Sequence, residues 1–428
     1  MNRPATWLAA ALAALACAAA RADIALVGIT EARGGGAVAG TSFRSGYQLA
    51  VDEVNAAGGV LGQKLALQQL DIDTTPEAAA EAAKQAVAAK PFAILGPVFS
   101  GLTLASMPVT AGTGIPQFTG GEAASLARKF HPTLLRTALT QQGAVPRLAS
   151  FAVYGLGARR LAVIWVDNEF GRDGHGVLLT EAARRRAEFV FDAPARPGQK
   201  DFADLVRRAA EAKPDALVLY LNEGESVDAL KELRRQGFDR PVIGDGPLVS
   251  TKVIEAAQGA AEGVLAHTGI SPDAPSPQVQ KFVAAYQRRF GARPDHNGIK
   301  GYFAVQVIKA GLEMTGRLDQ KAFLDKVKGT RLDEKRFPGL MTTASYDLFG
   351  DLNRESYLVQ VGGGRTRVLV SMDSTDSPFV TLAGGRSLPL DSNDLRRDLA
   401  LSLVRGGEAP AAAATTAARG GKPPRPAP

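Results

Sequence analysis

The most constraining feature of this sequence is a regular alternation of short apolar runs with amphipathic stretches. "DIALVGI", which begins at Asp23, has the length and composition of a buried strand, and Tyr47, Val51 and Val54 then repeat at the spacing of one helix face. The same order begins again at "RRLAVIWVD" and continues through "ALVLYLN" and "PVIGD". Strands that alternate with helices in this way form parallel sheets covered by helices on both faces. The sequence therefore predicts an α/β fold with two such sheets and a cleft between them.

The first strand leads directly into a glycine-rich turn, "GITEARGGGAVAG". Glycines after a strand hold the pyrophosphate in dinucleotide-binding folds, which makes a nucleotide-dependent enzyme the first alternative. After Gly28, however, the next glycines are Gly34–Gly36, so the spacing matches neither G-x-G-x-x-G nor G-x-x-x-x-G-K-[ST]. The sequence also has no H-E-x-x-H, C-x-x-C or G-x-S-x-G pattern. We therefore predict a protein that is not an enzyme and that uses neither a cofactor nor a metal.

The N-terminal segment has the pattern of a secretory signal peptide. Arg3 precedes an apolar stretch from Trp7 to Ala20, and "ARA" at 20–22 offers a small-residue cleavage site. We expect residues 1–22 to be removed on export to the periplasm. The one cysteine, Cys17, would anchor a lipoprotein instead, but its preceding residues lack the usual Leu, so the sequence favours its removal.

Charge and composition at the two ends exclude some partners. The formal net charge of +7 becomes +3 once residues 1–22 and 406–428, which contribute +2 each, are set aside. The remaining chain shows no basic cluster of the kind that binds nucleic acid. Residues 406–428 are rich in Ala, Pro and Gly, a composition that predicts a disordered tail.

Two loops that follow strands carry the residues most suited to binding a ligand. "ILGPVFSGLTLAS" brings hydroxyl groups and a glycine to the start of a helix, and "GIPQFTGGEAASL" has the same form. Backbone N–H groups at a helix start attract a carboxylate or a phosphate, although serine is also an ordinary helix cap. Ligands of parallel α/β sheets bind beyond the carboxyl ends of the strands, so both loops are expected to face the cleft.

These loops, together with "DEVNAAGGVLGQKLAL", "VDNEFGRDG" and "KDFADLVRRAAEAKPDALVLY", resemble the periplasmic substrate-binding proteins of ABC importers for branched-chain amino acids. The resemblance covers about Asp23 to Val370. It implies a two-lobed type I fold with three hinge crossovers. The implied segments are 23–140 with 271–342 for lobe 1, 141–270 with 343–370 for lobe 2, and 371–405 as a C-terminal extension.

The resemblance also implies a ligand-binding site. The residues assigned to it are Ser100, Thr103, Gly121, Ala123, Phe170, Asn222 and Asp245. Ser100 and Thr103 correspond to hydroxyls that bind the ligand carboxylate, and the next two residues supply backbone contacts. Phe170 and Asn222 stand where relatives have aromatic residues, and Asp245 aligns near the acid that meets an ammonium group. Because these three depart from the family pattern, the identity of the ligand stays open. Phe170 could also be a core aromatic, and Asp245 an ordinary turn residue.

The resulting hypothesis is a monomeric periplasmic protein that closes two lobes on a small amino acid, amide or carboxylate. It would deliver that solute to an ABC permease in the inner membrane. A secreted sensor domain, which presents its ligand-bound form to a signalling receptor, would use the same fold and remains the alternative.

Overall fold

The computed structural model describes residues 22–129, 131–373, 379–382, 385–390, 392, 394–397 and 399. The predicted signal peptide, apart from residue 22, lies outside the described residues, as do Cys17 and the predicted tail 406–428. Two separate sheets with helices on their faces make up most of the described chain.

The first sheet is entirely parallel and has five strands in the order β2-β1-β3-β4-β5. Its strands are β1 Ile24–Arg33, β2 Leu65–Asp73, β3 Ala93–Leu95, β4 Gln117–Thr119 and β5 Leu134–Arg136. The helices between these strands are α1 Ala37–Ala56, α2 Pro76–Ala88, α3 Ser100–Thr110 and α4 Ala124–Arg128. Thr75 caps the start of α2: its side chain accepts a hydrogen bond from the N–H of Ala78, and Pro76 is the first residue of the helix. With three later helices, this sheet forms the first lobe.

The second sheet has nine strands in the order β16-β15-β14-β13-β10-β9-β8-β6-β7. The parallel part contains β6 Arg160–Val166, β7 Glu188–Ala195, β8 Ala216–Tyr220, β9 Val242–Gly244 and β10 Leu265–Thr268. The antiparallel part contains β13 Ser356–Gly362, β14 Arg365–Met372, β15 Phe379–Leu382 and β16 Ser387–Pro389. The accompanying helices are α5 Gln141–Ser150, α6 Glu169–Arg184, α7 Ala203–Glu211, α8 Glu223–Arg235 and α9 Thr251–Ala257. These elements form the second lobe.

The chain returns to the first lobe between its two visits to the second sheet. The returning helices are α10 Pro277–Phe290, α11 His296–Thr315 and α12 Gln320–Lys328. They are followed by a two-stranded sheet of β11 Ala344–Tyr346 and β12 Leu352–Arg354. Ala344 pairs with Leu332, and the carbonyl of Gly350 accepts from the N–H of Arg136, so this small sheet lies against the first lobe. The third passage between the lobes therefore follows Arg354, beyond the boundary at 342 expected from the sequence.

Helix α11 covers α1 at very short range. A Cβ atom at Gly46 would overlap the carbonyl oxygen of Gly298, and one at Gly301 would overlap that of Phe43. The two backbones can approach this closely only because neither glycine has a side chain. Helix α11 is buried along most of its length, so it completes the core of the first lobe.

The predicted α/β fold, with two lobes, parallel sheets flanked by helices and three passages of the chain between them, is confirmed. The antiparallel strands β13–β16 were not predicted. Within the predicted extension 371–405, β15 and β16 continue the second sheet, and Leu395 and Leu399 are buried in the same core. The exact division of the chain into lobes stays a prediction.

Candidate ligand-binding site

The two lobes enclose a cleft of about 360 Å³ at the carboxyl ends of their parallel strands. Six helices begin at this cleft: α1, α2, α3 and α11 from the first lobe, and α6 and α8 from the second. Each helix start presents N–H groups that lack partners inside the helix and carry a partial positive charge. The cleft is therefore built to bind polar groups of a small ligand.

The first-lobe wall is formed by the start of α3. Ser100 is buried, and its Oγ accepts hydrogen bonds from the N–H groups of Glu122 and Ala123, both at 3.1 Å. Its hydroxyl hydrogen stays available for a ligand. In the described part of the chain, no acceptor is found for the backbone N–H groups of Ser100, Gly101 and Leu102, and all three residues line the cleft. This wall can bind a carboxylate, as the sequence predicted from "SGLT".

A buried carboxyl group holds the loop that precedes α3. Glu31 Oε1 accepts from the backbone N–H groups of Val98 and Phe99, both at 2.8 Å. Glu31 is fully buried, and burial raises its pKa to about 7 against the opposing effect of these hydrogen bonds. Glu31 therefore fixes the position of the helix start without lining the cleft itself.

The floor of the cleft contains a buried ion pair. Lys300 Nζ, on the first turns of α11, lies 2.6 Å from Glu122 Oε1 and 3.3 Å from the side-chain oxygen of Asn297. Both charged side chains are largely withdrawn from solvent. Burial raises the pKa of Glu122, and the positive charge of Lys300 opposes that rise. The pair makes this end of the cleft polar.

Three glutamates carry the second-lobe wall. Glu169 begins α6, while Glu223 and Glu225 lie in the first turn of α8. Glu225 Oε1 accepts from the N–H of Gly198 at 2.6 Å, and Glu223 Oε1 accepts from Asn297 Nδ2 at 2.9 Å. Burial raises the pKa of Glu223 to about 7. Acidic side chains in the first turn of a helix interact favourably with the partial positive charge at its N-terminus. These glutamates also make this wall of the cleft negative.

His296, the first residue of α11, also lines the cleft and is 5 % exposed. Its Nδ1 has no hydrogen-bond partner among the described residues, and its Nε2 lies 3.9 Å from Glu223 Oε1. Burial, followed by the charge of Lys300, holds its pKa well below the usual value, so the ring is neutral at pH 7. A neutral imidazole with a free nitrogen can donate to or accept from a ligand.

Several contacts join the two lobes around the cleft. Besides the bond from Asn297 to Glu223, Asp173 of α6 accepts from the N–H of Ser125 at 2.6 Å and pairs with Arg128 at 3.0 Å. Gln141, at the first passage between the lobes, donates to the carbonyl of Phe170 at 2.7 Å and accepts from the N–H of Ala124 at 3.2 Å. The lobes are thus held close together.

The structure brings three of the seven predicted residues to the cleft. They are Ser100, Phe170 and Asn222. The Phe170 ring stacks on Tyr220 with a centroid distance of 4.7 Å, so it is both part of the cleft wall and packed against the core. Asn222 stands at the N-cap of α8, where its side chain makes no capping hydrogen bond.

The other four predicted residues lie behind the cleft wall. Thr103 Oγ1 is bonded to Thr119 Oγ1 at 2.7 Å, and the N–H of Gly121 donates to the same Thr119 oxygen at 2.9 Å. Ala123 is buried and gives its N–H to Ser100. These groups shape the two loops from inside because their hydrogen-bonding capacity is used within the protein. Their contact with a ligand stays a prediction.

Asp245 is buried beside the main cleft and does not line it. Its Oδ1 accepts from the N–H of Gly246 at 2.9 Å, and Tyr220 donates to its Oδ2 at 3.3 Å. His267 Nδ1 lies 3.7 Å from Asp245 Oδ1. Asp245 lines a very small cavity that shares Glu122, His296 and Lys300 with the main cleft, and its contact with a ligand stays a prediction.

The sequence analysis missed the charged residues of the cleft. Glu122 and Glu169 lie within two of the motifs that carry the family resemblance, and Glu223 follows Asn222 directly. Each of these acids is therefore close in sequence to a predicted site residue, which could have indicated that it lines the cleft. Lys300 and His296 gave no such signal because they approach the cleft from a helix far along the chain.

Two further features bear on the class of protein. Among the described residues, no group of three or more His, Cys, Asp or Glu side chains is arranged to hold a metal ion. The same residues include no helix with the length and apolar character needed to cross a membrane.

Comparison with known proteins then identifies the family. The sequence profile of the periplasmic binding proteins matches residues 23–365. The chain belongs to this family. It is 28% identical to the Leu/Ile/Val-binding protein BraC3 of Rhizobium johnstonii, over 82% of this chain and 95% of that protein.

Solved structures of the family show the same fold. A substrate-binding protein of the branched-chain amino acid transporter of Streptococcus pneumoniae, LivJ, in complex with isoleucine, matches with a TM-score of 0.74 and 21% identity over 82% of this chain and 99% of that one. A solute-binding protein of an ABC transporter from Rhodopseudomonas palustris BisB5, in complex with 3,4-dihydroxybenzoic acid, matches with a TM-score of 0.75 and 22% identity over 83% and 99%. The predicted membership in the periplasmic binding proteins is confirmed, and the relative named above is a Leu/Ile/Val-binding protein.

Proposed function

We propose that this protein is the extracytoplasmic solute-binding component of an ABC importer. It binds a small amino acid or related carboxylate between its two lobes and delivers the solute to a permease in the inner membrane. It acts in the periplasm as a monomer, after loss of residues 1–22, and catalyses no reaction. Family membership supports the general role, and two of the similar structures contain bound isoleucine and bound 3,4-dihydroxybenzoic acid.

The observation that carries the proposal is the open start of α3 in the cleft. Three N–H groups without an internal acceptor and the Ser100 hydroxyl converge on one wall. A carboxylate that enters a low-dielectric cleft must exchange its water for such donors, and hydrogen bonds to a charged acceptor are the strong ones. The groups are already in position, so little ordering is needed when the ligand binds.

Ligand screening by thermal denaturation tests this proposal directly. A ligand that binds only the native state raises the melting temperature, and a concentration of 100 times Kd adds about 2.7 kcal/mol. We expect at least one amino acid, amide or small carboxylate to raise the melting temperature and to show saturable binding in titration calorimetry. A protein that responds to none of these solute classes would contradict the proposal.

Ser100→Ala then tests the location of the carboxylate. Loss of this hydroxyl should weaken binding of the identified ligand roughly tenfold or more, because it removes a hydrogen bond to a charged group. Ser106→Ala is the matched control, since Ser106 is a buried serine on the same helix and does not line the cleft. Equal affinities for the two variants would place the ligand elsewhere.

Deletion of the gene separates transport from sensing. If the protein serves an importer, uptake of the identified ligand at low concentration should be lost and should return with a plasmid copy. Normal uptake, together with loss of a ligand-dependent transcriptional response, would favour the sensor alternative.

A further inference from the structure

We propose that Glu31 couples solute binding to proton uptake: when a carboxylate binds at the start of α3, the buried carboxyl group of Glu31 behind that helix start gains a proton. This inference rests on the proposed function, because it takes the ligand to be a carboxylate at the same wall. It follows from a row of backbone donors that Glu31 and the ligand would share. It also follows from one oxygen of Glu31 that has no partner among the described residues.

Five consecutive backbone N–H groups, those of residues 98–102, form the row of donors at the start of α3. The first two, of Val98 and Phe99, donate to Glu31 Oε1, both at 2.8 Å. For the next three, no acceptor is found in the described part of the chain, and their residues line the cleft. One end of the row therefore already holds a carboxyl group of the protein, and the other end would hold that of the ligand.

The two carboxylates would lie close enough to repel each other. Phe99 and Ser100 are neighbours in the chain, so backbone geometry and hydrogen-bond lengths limit the separation of the nearest oxygens to about 10 Å. Two unit charges at about that distance, at an effective dielectric constant of about 20, change an equilibrium constant roughly tenfold. Salt screens this repulsion only weakly, because Glu31 is fully buried. Binding is therefore more favourable when Glu31 is neutral.

Glu31 can take up a proton because its ionised form is poorly stabilised. Its Oε2 is buried without a hydrogen-bond partner among the described residues, so this oxygen is the place for the proton. Burial raises the pKa of Glu31 to about 7, and the backbone N–H groups oppose that rise. An anion bound at the other end of the row would raise the pKa further. The proton is then gained from solvent near neutral pH, as the ligand binds.

The surroundings of Glu31 leave this proton sensitive to the ligand. Gly36 and Gly40, at the start of α1, lie against its Cβ and cannot titrate. No charged side chain in the described part of the chain contributes to the raised pKa of Glu31. The titratable side chains on adjoining parts of β1 and α1 are engaged elsewhere: Arg33 with Asp73, Arg44 with Asp71, and Tyr47 with Thr30 and Gln69.

The pH dependence of binding in the wild type and in Glu31→Gln tests the coupling. Isoleucine and benzoate are the probes, because the carboxyl group of each stays ionised from pH 6 to pH 8.5. Glutamine keeps a side-chain oxygen for the two N–H groups but cannot gain or lose a proton. We expect the dissociation constant of the wild type, divided by that of the variant, to rise about five- to tenfold between pH 6 and pH 8.5 in titration calorimetry. A ratio that stays constant, whatever its size, would show a purely structural role and overturn the proposal.

The ratio also cancels the contributions of the cleft residues Glu122 and Glu223, whose pKa values are raised as well. Glu211→Gln is the matched control, since it makes the same change at an exposed residue of α7 that does not line the cleft. This control should keep the pH dependence of the wild type. An equal change of pH dependence in both variants would contradict the role of Glu31.

A measurement on the wild type keeps the test independent of how well Glu31→Gln folds. NMR of the ¹³C-labelled carboxyl carbon of Glu31 gives its pKa without a probe and with a saturating one. We expect the pKa to be higher by about one when the probe is bound. An unchanged pKa would overturn the coupling while leaving the solute-binding function intact. If neither probe, nor any carboxylate of the wider screen, binds, the proposed function fails together with this inference.

Discussion

The two walls of the cleft use the same backbone arrangement with opposite charge. In each lobe a helix begins directly after a parallel strand and points its free N–H groups at the cleft. On the first-lobe side α3 has no acid in its first turn, whereas α6 begins with Glu169 and α8 carries Glu223 and Glu225. The comparison shows that a helix start attracts anions only where side chains of its own first turn do not already neutralise it.

The walls also differ in how they are supported. The first-lobe side rests on a buried ion pair and on the close contact of α1 with α11. The second-lobe side rests on hydrogen bonds that its glutamates accept from a loop N–H and from the side-chain amide of Asn297 in the other lobe.

Lys300→Met should destabilise the protein most, because it leaves Glu122 buried without its partner. We expect the free energy of unfolding to fall by about 3 to 5 kcal/mol, measured by urea denaturation. The double variant Glu122→Gln with Lys300→Met removes both charges and should recover most of the loss. A double variant as unstable as Lys300→Met alone would show that packing, rather than the unpaired charge, dominates.

The raised pKa of Glu223 predicts that stability depends on pH. Its folded value of about 7 lies above the ordinary value of 4.5, so the folded state holds the proton more tightly than the unfolded state. The resulting stabilisation is complete below about pH 4.5 and is lost as pH rises through 7. The groups that face Glu223 are Asp295, His296, Asn297 and Lys300.

Comparison of wild type with Glu223→Gln isolates this contribution. Between pH 5 and pH 9 the wild type should lose up to about 3 kcal/mol more stability than the variant, since the glutamine cannot ionise. Glu31, whose pKa is also raised to about 7, is present in both proteins and cancels in the comparison. Parallel pH profiles would contradict the assignment.

Gly46→Ala should break the contact between α1 and α11. The added methyl group overlaps a backbone carbonyl, which cannot move as a side chain can, so we expect a loss of about 2 to 3 kcal/mol in unfolding free energy. Gly176→Ala in α6 is the control, because no atom lies within 4 Å of its added Cβ. That variant should be stabilised by roughly 0.5 to 1 kcal/mol through higher helix propensity.

Asp173→Asn should have the smallest effect on stability and act mainly on lobe closure. The carboxylate joins α6 to Ser125 and Arg128 of the other lobe, and these partners hold the pKa of Asp173 low against the opposing effect of burial. We expect a loss of about 1 kcal/mol from the closed form and a larger radius of gyration by small-angle scattering in the absence of ligand. Asp192→Asn, whose partners Trp165 and His175 lie in the same lobe, should leave the radius unchanged.

Much of the fold could be predicted because it depends on local patterns. Apolar runs, amphipathic helix faces and helix starts such as Thr75-Pro76 each depend on a few neighbouring residues in the sequence. The alternation of strands with helices then predicts parallel sheets. Ser100 was predicted for the same reason, since a loop that joins a parallel strand to the next helix lies at the carboxyl end of the sheet, where the cleft is expected. The antiparallel strands after Arg354 were not predicted, because their pairing depends on which edge of an existing sheet is free.

The cleft charges could not be predicted, since they depend on residues that meet only in three dimensions. Lys300 approaches Glu122 from a helix that belongs to the first lobe although it follows most of the second in sequence. Asp245 shows the converse: its place after β9 follows from the sequence, but its hydrogen bond from Tyr220 and its burial behind the cleft wall are set by packing.

The contact of α1 with α11 has a consequence for the way the protein is made. A chain synthesised from its N-terminus produces the apolar face of α1 long before the helix that covers it exists. Contacts between such distant segments form slowly because a large loop must first close. The first lobe therefore cannot complete its core before the residues of α11 have been synthesised. Its nascent form should stay sensitive to protease until synthesis has passed Thr315.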